Sequence, residues 1–554
     1  MIKHLRQFNM RIVVMIVVLS LCFFDAFADN TELDRSSYVD GNQYENEEII
    51  IPHVKVGLLY DENAIDRAYL DVTDGAGFQV VTYDTNRSEQ ELAAFDTNHV
   101  LVIKDTFYSD GDINKVCYHI RLNKSFSSFE KASNEANNYD DAFPAYYHGH
   151  FCVMVGNFGS VVEANEYAGT NEIDGHGSTT GKYGVCVLNT SNNKVLFGFD
   201  MSSTNDVVLK PVKYENNPTT NFNGKTYYGG FEIKRSPDAN LSVINCVSLE
   251  DYVKGVIPYE MSPSWPIEAL KAQALCARTY VAKHMNQYME YGFDVRDDTH
   301  SQVYNGIEGA TEDTDSAVDA TAGKYVRYQG ELCNTYYFSC DGGSTESSSL
   351  VFDQEYEYLI GKEDPFEAAV NFPNKTWSRT VTVSQLTSIL NSKGYSIGNI
   401  KDVHEEFTAS GNCSSLSFTD INNKTVTLDR TAYTKLGLPS CHFSVEQTKI
   451  KVVKKVKKEV QPTPTSTPTP TPSPADGAEG QDTTQTPTPT PTATPTPTPQ
   501  YEYITEYYDG FAFNGGGWGH NCGMSQWGAY SMAYVYGYDY EDIIRFYFTG
   551  AYIA

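Results

Sequence analysis

The stretch GVIPYEMSPSWPIEALKAQALCARTYVAKHM, residues 255–285, holds the clearest helical pattern of the sequence. Apolar residues recur there at the three-four spacing that places one face of a helix against a core. The residues of that face are Ile267, Leu270, Ala274, Ala277, Val281 and Met285. Because proline is tolerated in a first helical turn, the helix should begin near Pro263 and Pro266. The pattern predicts one long central helix, with Glu260 in a loop just ahead of it.

Two cations, Lys271 and Arg278, lie seven residues apart on a neighbouring face of this helix. A buried cation needs an anion beside it, whereas a solvated stripe of Lys and Arg does not. Periodicity leaves both interpretations open, and Glu268 is placed to pair with Lys271 at i,i+3.

Glu260 lies in the apolar and aromatic segment IPYEMSPSW. Burial beside Tyr259, Met261 and Trp265 would raise the pKa of its carboxyl. A general acid that works near neutral pH needs such a raised pKa, although nearby cations would lower it. The alternative is an ordinary surface glutamate.

Three further segments combine polar side chains with glycines, which let a backbone approach a ligand closely. They are DDTHSQVYNG, FSCDGGSTESS and the tail segment FNGGGWGHNCGMSQWGAYSMA. Their candidate ligand-binding residues are His300, Gln302, Tyr304, Ser339, Gly342, Gly343, Ser344, His520, Ser525 and Gln526. Three such clusters in one chain favour a functional site over isolated structural residues.

The chain has 554 residues and a formal net charge of -30. This length predicts more than one folded unit, and this charge argues against a duplex nucleic-acid binder, which needs a basic footprint. The 40 tyrosines fit either a sugar-facing surface or ordinary strands.

Residues 1–28 have the pattern of an export signal, with a basic start, an apolar run and small residues at Ala26 and Ala28. The run is too short for an ordinary spanning helix, so cleavage and secretion are predicted, with an uncleaved membrane anchor as the alternative. The ten cysteines besides Cys22 form no CxxC pair and are interpreted as small buried residues rather than a disulfide framework.

Changes in pattern divide the remaining chain. Residues 50–112 alternate as strands, and residues 113–172 read strand, helix, a strand pair turned at His148–Gly149, and helix. Residues 205–448 are strand-rich around the central helix. Residues 449–504 combine a basic run with Pro/Thr repeats, which favour extended chain and predict a linker.

The tail, residues 505–554, is too short to form a stable core alone. It is therefore predicted to complete the domain that precedes the linker, with a short independent wall-binding module as the alternative. The fold class that follows is α+β, with a strand-rich domain around one long central helix after a small α+β module.

Parts of the chain resemble two known families. AFPAYYHGHFCVMVGNFGSVVEANEYA, residues 142–168, resembles a SPOR-type peptidoglycan-binding module, although a generic α+β spacer has a similar pattern. The segments SLEDYVKGVIPYEMSPSWPIEALKAQALCARTYVAKH, THSQVYNG, FSCDGGSTESS and GGGWGHNCGMSQWGAYSMA together resemble the stage II sporulation protein D and amidase-enhancer family. That resemblance covers residues 226–445 and 509–553, and places the Pro/Thr tract inside one domain as an insertion.

The family resemblance implies a lytic transglycosylase that cleaves peptidoglycan glycan strands, preferably without stem peptides, to products with 1,6-anhydro ends. It also implies a place at the cell wall and a role in wall remodelling or sporulation. The catalytic acid falls on Glu260, and the other expected active-site residues fall on Lys271, Arg278 and His300. The polar clusters would then bind substrate, with the two cations close to the acid.

Some members of that family hold zinc through cysteines near the histidine. Here Val295 and Ser301 occupy that neighbourhood, so no metal or other cofactor is expected; Cys333, Cys340 and His300 are the weak alternative for zinc. Two other functions stay open. One is a non-catalytic enhancer of a cell-wall amidase, and the other is a thiol hydrolase that uses Cys340 or Cys522 with a histidine.

Overall fold

A computed structural model describes residues 33–44, 46–84, 87–109, 112–200, 206–212, 217–235, 240–352, 354–373, 375–457 and 501–554. The predicted signal segment and residues 458–500, with all the Pro/Thr repeats, lie outside the described residues. The described chain is a mixed, strand-rich α+β fold, as predicted. None of its described helices is long and apolar enough to cross a membrane.

The described helices are mostly short. They are α1 Phe129–Ala136, α2 Val161–Thr170, α3 Leu249–Glu260, α4 Ile267–Lys283, α5 Glu312–Ala320, α6 Ser348–Val351, α7 Val383–Ser392, α8 Ala432–Leu436, α9 Gln526–Tyr534 and α10 Tyr540–Tyr547.

The described strands alternate with them. In the first half of the chain they are β1 Val54–Leu59, β2 Arg67–Asp74, β3 Phe78–Tyr83, β4 Glu89–Phe95, β5 His99–Lys104, β6 Thr106–Ser109, β7 Asp112–Val116, β8 Tyr118–Leu122, β9 Ala142–Tyr147, β10 His150–Phe158, β11 Gly175–Ser178, β12 Gly184–Asn189, β13 Val195–Asp200, β14 Asp206–Pro211, β15 Thr219–Phe222, β16 Lys225–Tyr228, β17 Gly230–Arg235 and β18 Leu241–Val247. The remaining strands are β19 Val295–Arg296, β20 Val326–Tyr328, β21 Glu331–Leu332, β22 Tyr337–Phe338, β23 Thr376–Thr382, β24 Ile400–Phe407, β25 Cys413–Asp420, β26 Thr425–Leu428, β27 Phe443–Lys457, β28 Tyr501–Gly516, β29 Met524–Ser525 and β30 Tyr552–Ile553.

A seven-stranded sheet joins segments that the sequence assigned to different regions. Its order is β19-β1-β18-β17-β14-β3-β4, and β1 pairs antiparallel with β18, Val54 opposite Val247. The predicted boundaries at residues 112 and 205 therefore do not separate two sheets, because strands from residues 50–112 and from residues 205–448 lie side by side.

A ten-stranded sheet contains the segment that resembles a SPOR module. The hairpin β9–β10 turns at His148 and Gly149, both with positive φ, and helices α1 and α2 form where the sequence predicts them. The strands β11, β8, β10 and β9 occupy one end of the sheet, and β9 continues it by pairing parallel with β13. This segment therefore shares its sheet with the rest of the chain.

Helix α4 begins directly after Pro266, near the predicted position, and lies inside the main core. Leu270, Ala274 and Val281 are fully buried, whereas Ile267 at the start is partly exposed. The segment before it differs from the prediction, since LEDYVKGVIPYE forms helix α3 and Glu260 ends this helix rather than lying in a loop. The Ser248 side chain accepts a hydrogen bond from the amide of Asp251 at 3.2 Å, and this cap favours a helix start there.

The two segments that flank residues 458–500 pair with each other. Strands β27 and β28 are antiparallel and in register from Phe443 opposite Gly515 to Lys457 opposite Tyr501. The basic run predicted as linker is thus largely strand up to Lys457. Further along the tail, β29 pairs with β22 and β30 pairs with β20, so the chain after residue 500 is built into sheets that begin before it.

The first described residues pack against residues 538–552. Arg35 forms an ion pair with Asp542 at 2.7 Å, and the rings of Tyr44 and Tyr552 stack with their centroids 5.3 Å apart. Gly41 lies so close to Tyr552 that a Cβ atom would meet the ring at 2.3 Å. The Tyr552 hydroxyl accepts from the Gly330 amide and donates to Asn46.

Candidate active site

Glu260 is the last residue of helix α3, not a loop residue. Its Oε1 accepts a hydrogen bond from the backbone amide of Val303 at 2.9 Å. Val303 belongs to the HSQVY segment, so this bond ties the acid to the loop that carries His300.

The carboxyl of Glu260 opens into a cavity of about 470 Å³. The other residues that line it are Tyr280, Thr299, His300, Ser301, Tyr336, Tyr337, Phe338, Ser339, Phe352, Trp518, Gly519, His520 and Gln526. Glu260 is the single Asp or Glu among these described lining residues. Distant parts of the sequence therefore meet around one carboxyl, among them helix α3, the loop of residues 299–301, residues 336–339 and the glycine-rich tail.

Burial raises the pKa of Glu260 above its ordinary value, because a charged carboxylate loses hydration there. The Val303 amide opposes this shift, and so do the side chains of Tyr337 and Gln526. The buried Tyr337 hydroxyl makes no hydrogen bond of ordinary geometry to a described residue, although it lies near enough to act on the carboxyl. None of the described residues that line the cavity is Lys or Arg. No lining cation therefore lowers the pKa that burial raises.

His300 lies at the open side of the cavity, with its side chain 65% exposed. Its Nδ1 is 3.0 Å from Asp298 Oδ1, and the same oxygen accepts from the His300 amide at 2.9 Å. Asp298 thereby orients the ring, and Nε2 has no hydrogen-bond partner among the described residues.

His520 lies elsewhere in the cavity wall among aromatic rings, with Phe352 at 5.3 Å between centroids. Burial lowers the pKa of this histidine to about 4, so the ring is neutral at physiological pH. Its Nδ1 accepts a hydrogen bond from the amide of Cys522 at 3.2 Å. The two histidines of the cavity therefore differ, one exposed and the other neutral and half-buried.

Aromatic side chains form much of the cavity wall, and most of them are absent from the residues predicted by sequence. Trp518 stands 47% exposed in the segment GGGWGH, and Tyr280 and Tyr336 face the cavity from helix α4 and the segment before β22. A large aromatic residue between glycines was a usable signal for Trp518. Tyr280 had none, because it falls within an apolar helix.

The expectation that Lys271 and Arg278 lie beside the acid is not met, since neither lines the cavity. Arg278 is fully buried and binds Glu250 at 2.6 Å together with the Val318 carbonyl at 3.2 Å. Lys271 binds Glu268 at 2.7 Å, the pairing that the i,i+3 spacing suggested. Lys271 pairs within α4, whereas Arg278 pairs with Glu250 of α3 and so holds the two helices together.

Gln302, Tyr304 and Ser525 are also buried away from the cavity. The Tyr304 hydroxyl donates to Asn245 at 2.7 Å, and Gln302 donates to the Ala277 carbonyl at 3.2 Å. Ser525 caps helix α9 and donates to Glu367. These three side chains position neighbouring segments, whereas Ser339, His520 and Gln526 line the cavity as predicted substrate-binding residues would.

The CDGG turn packs under the tail instead of entering the cavity. Gly342 and Gly343 have φ of 80° and 125°, which favour glycine. The Gly342 amide donates to Glu367 at 3.1 Å, and Ser344 donates to the carbonyl of Ser410. Gly342 lines a separate groove of about 700 Å³ with Trp377 and Asn514.

Potential metal ligands come within 4.8 Å of one another in two groups of described residues: Asp105, Cys117 and His119, and Asp341, Asp364 and Glu367. In the first group both ring nitrogens of His119 already have protein partners. Within the described chain, Cys333, Cys340 and His300 form no such group. His300 is hydrogen-bonded to Asp298. These two residues alone do not supply the four ligands that a structural zinc site needs.

The cysteines do not fit nucleophilic chemistry. All ten described cysteines are free and buried, as predicted for small core residues. Burial raises the pKa of Cys340 to about 12 and that of Cys522 above its ordinary range. A catalytic thiol needs the opposite shift, which disfavours the thiol-hydrolase interpretation.

Comparisons with known proteins match the sequence of this chain to one family. Residues 237–328, which contain Glu260 and His300, match the SpoIID family model, described as "Stage II sporulation protein". An uncharacterized protein of Brachyspira hyodysenteriae is 30% identical over 347 residues, which cover 62% of this chain and 76% of that protein.

Two relatives with functional names come from Bacillus subtilis. Its amidase enhancer is 34% identical over 183 residues, 33% of this chain and 24% of that protein. Its stage II sporulation protein D is 30% identical over 243 residues, 39% of this chain and 67% of that protein. With the family model and these relatives in agreement, the chain belongs to the stage II sporulation protein D and amidase-enhancer family.

Proposed function

We propose that this protein is a lytic transglycosylase that acts outside the cell on peptidoglycan glycan strands, with a preference for strands without stem peptides. The observation that carries the proposal is one half-buried carboxyl, Glu260, in an aromatic-walled cavity whose described lining holds no second carboxylate. Hydrolytic glycosidases ordinarily need two carboxyl groups across the scissile bond, whereas a transglycosylase that uses no water can work with one.

The proposed reaction returns Glu260 to its starting state. Its protonated carboxyl donates the proton to the glycosidic oxygen, and the bond from that oxygen to C1 breaks. The C6 hydroxyl of the same sugar then forms a bond to C1 and gives its proton to the Glu260 carboxylate. The products are one strand with a free hydroxyl and one with a 1,6-anhydro end.

The surroundings of Glu260 support both halves of this cycle. Burial favours the protonated form that begins it, and the Val303 amide stabilises the carboxylate that forms midway. Trp518 offers an exposed ring on which a sugar can pack. His300, oriented by Asp298, is proposed to bind the substrate at the open side of the cavity.

Product analysis tests the proposal. Purified residues 29–554 are incubated with bare and with peptide-bearing glycan strands, and the fragments are identified by mass spectrometry. We expect anhydro-ended fragments from bare strands, none with Glu260→Gln, and normal activity with Glu290→Gln, which makes the same change at an exposed position. Unaltered cleavage by Glu260→Gln would remove this carboxyl from the mechanism.

A second candidate function rests on the relative named amidase enhancer. In that case the protein binds the wall and stimulates a separate amidase without cutting glycan itself. Absence of cleavage on both substrates, together with faster release of stem peptides when a cell-wall amidase is added, would favour this function.

We also propose that residues 113–172 bind glycan, as the SPOR resemblance implies. Helix α2 exposes the apolar side chains of Val161, Val162 and Tyr167. Because the strands of this segment belong to the ten-stranded sheet, substitution is a cleaner test than deletion. Val162→Ser with Tyr167→Ser should weaken sacculus binding, and unchanged binding would count against this role.

A further inference from the structure

The outer part of the β27–β28 ribbon extends beyond the rest of its sheet. Strand β23 pairs with β28 only as far as Thr382 opposite Gly510. From Asp509 to Tyr501, strand β28 pairs with β27 alone among the described strands. This outer ribbon is therefore two-stranded, whereas the rest of the sheet has three strands.

One face of the outer ribbon combines tyrosines and lysines. Residues directly opposite each other on paired strands share a face, and the pairs here are Lys451 with Tyr507, Val453 with Thr505, and Lys455 with Tyr503. We call this the tyrosine face; Tyr501 continues it at the end of the strand. Tyr503 and Tyr507 are 70% and 66% exposed, and Val453 and Tyr501 are also exposed.

The exposure of these rings indicates a binding surface. The same side of β28 carries Phe511 and Phe513 further along, and there the rings are buried in a core. That core ends near Gly510, yet the aromatic pattern continues on the exposed ribbon. Contiguous exposed apolar side chains of this kind mark interaction sites more often than ordinary surface.

The lysines give this face a charge opposite to that of the whole chain, which is -30. On the other face Lys454 forms an ion pair with Glu506 at 2.6 Å. No ion pair joins Lys451 or Lys455 to a carboxylate among the described side chains; the Lys455 ammonium lies 4.4 Å from the centroid of the Tyr501 ring. These two cations are therefore available to an anionic ligand.

We propose that the tyrosine face binds bare glycan strands, and this inference rests on the proposed function of the cavity. Each muramic acid without a stem peptide carries a free lactyl carboxylate, whereas a peptide converts that carboxylate to an amide. Sugar rings would pack on the tyrosines, and the free carboxylates would pair with Lys451 and Lys455. A strongly anionic protein needs such a cationic surface to hold a polyanionic strand.

Binding measurements on the full chain with Glu260→Gln, which prevents cleavage, test this inference. Three probes are used: bare glycan strands, the same strands with their carboxyl groups reduced to alcohols, and chitin oligosaccharides. Tyr501, Tyr503 and Tyr507 are changed together to Ser, and Lys451 and Lys455 together to Gln. Lys454→Gln is the control, because it removes a lysine charge from the opposite face.

We expect both multiple variants to bind bare strands about tenfold more weakly, while Lys454→Gln binds normally. Reduced strands and chitin should bind the parent protein weakly and should not distinguish the lysine variant from it. Equal affinity for bare and reduced strands would overturn the role of the lysines, and unchanged affinity of both variants would overturn the site.

Two further outcomes distinguish glycan binding by the ribbon from self-association and from catalysis in the cavity. Loss of a dimer in the tyrosine variant, without loss of glycan binding, would show that a second copy covers the face and would overturn the inference. Cleavage of a short bare oligosaccharide should persist in the ribbon variants when Glu260 is intact. Its loss in Glu260→Gln alone tests the proposed function independently of the ribbon.

Discussion

At the scale of single residues, the pKa of Glu260 is set by burial against a few hydrogen-bonding groups. In the proposed mechanism Glu260 is active while protonated, so activity should fall as pH rises through its raised pKa. Tyr337 lowers that pKa, so Tyr337→Phe should raise it and move the alkaline limb to higher pH.

The measurement is the pH profile of kcat/KM on bare strands. Tyr336→Phe is the control, since Tyr336 lines the same cavity but does not contribute to the shift of the Glu260 pKa. If the alkaline limb of the profile does not move in Tyr337→Phe, or moves equally in both variants, Tyr337 does not lower the pKa of the proposed acid.

Arg278 and Lys271 should differ in their effect on stability. Arg278→Ala leaves Glu250 and a buried carbonyl without this partner, and removing one member of a buried ion pair costs about 3–5 kcal/mol. Lys271→Ala removes a partly exposed pair, which contributes about 1 kcal/mol or less. Urea unfolding gives both values; activity per folded molecule should stay normal, and a selective loss of activity would restore the catalytic interpretation.

Replacing Asp341 by Asn should stabilise the folded protein by an amount that depends on pH. One of its oxygens is buried without a hydrogen-bond partner among the described residues, and burial near Asp364 and Glu367 raises its pKa. A buried carboxyl with a raised pKa lowers the free energy of unfolding of the protein as pH rises above the pKa of the same group in the unfolded chain, near 3.8. Asp341→Asn removes this loss and places an amide donor near Asp364.

Thermal melts of both proteins between pH 4 and pH 8 measure the effect. The increase in unfolding free energy of Asp341→Asn over the parent protein should be small near pH 4 and should grow to about 1–3 kcal/mol near neutrality. An advantage independent of pH would mean that the raised pKa of Asp341 is not its source.

The sequence could single out Glu260 as a candidate acid, because its aromatic neighbours lie beside it in the chain. It could not reveal the role of Arg278, because Glu250 lies 28 residues away and only the packing of α3 on α4 brings the two together. Periodicity shows which face of a helix a cation occupies, but not what the next helix presents to it.

At the scale of elements, helix α4 followed its apolar periodicity and was predictable, whereas α3 was not. Its β-branched residues and Pro258 resemble a strand followed by a loop. The cap at Ser248 and the acidic first turn, Glu250 and Asp251, were signals for a helix that outweighed this composition. The consequence is that a helix end, rather than a loop, presents the proposed acid.

The ribbon predicts that residues 458–500 are dispensable for folding. Lys457 and Tyr501 face each other directly, which is the spacing closed by a two-residue hairpin turn. Replacing residues 458–500 by Asn-Gly should therefore leave the melting temperature and the cleavage of short oligosaccharides unchanged.

Circular dichroism melts and product analysis would check this. A variant that ends at residue 457 lacks β28 and the tail of the cavity, and should not fold or cleave. Unfolding of the Asn-Gly variant would show that the replaced segment contributes to the core.

At the scale of the whole molecule, the resemblance to a family predicted the class of fold and the order of the motifs. It did not predict that strands from residues 50–112 enter the same sheet as β17 and β18. Alternating strand patterns define which face of a strand is buried, but not which distant strand lies beside it. Val54, for example, lies opposite Val247, and the whole ten-stranded sheet is built from the chain between them.

The contact between Gly41 and Tyr552 has a consequence for synthesis of the chain on the ribosome. The ring that covers Gly41 and stacks on Tyr44 also bonds to Asn46, a residue translated 506 codons before it. The earliest described residues of a nascent chain therefore lack this packing partner until Tyr552 has been synthesised. A nonsense mutation as late as codon 552 should lower the amount of protein in cells much as earlier ones do.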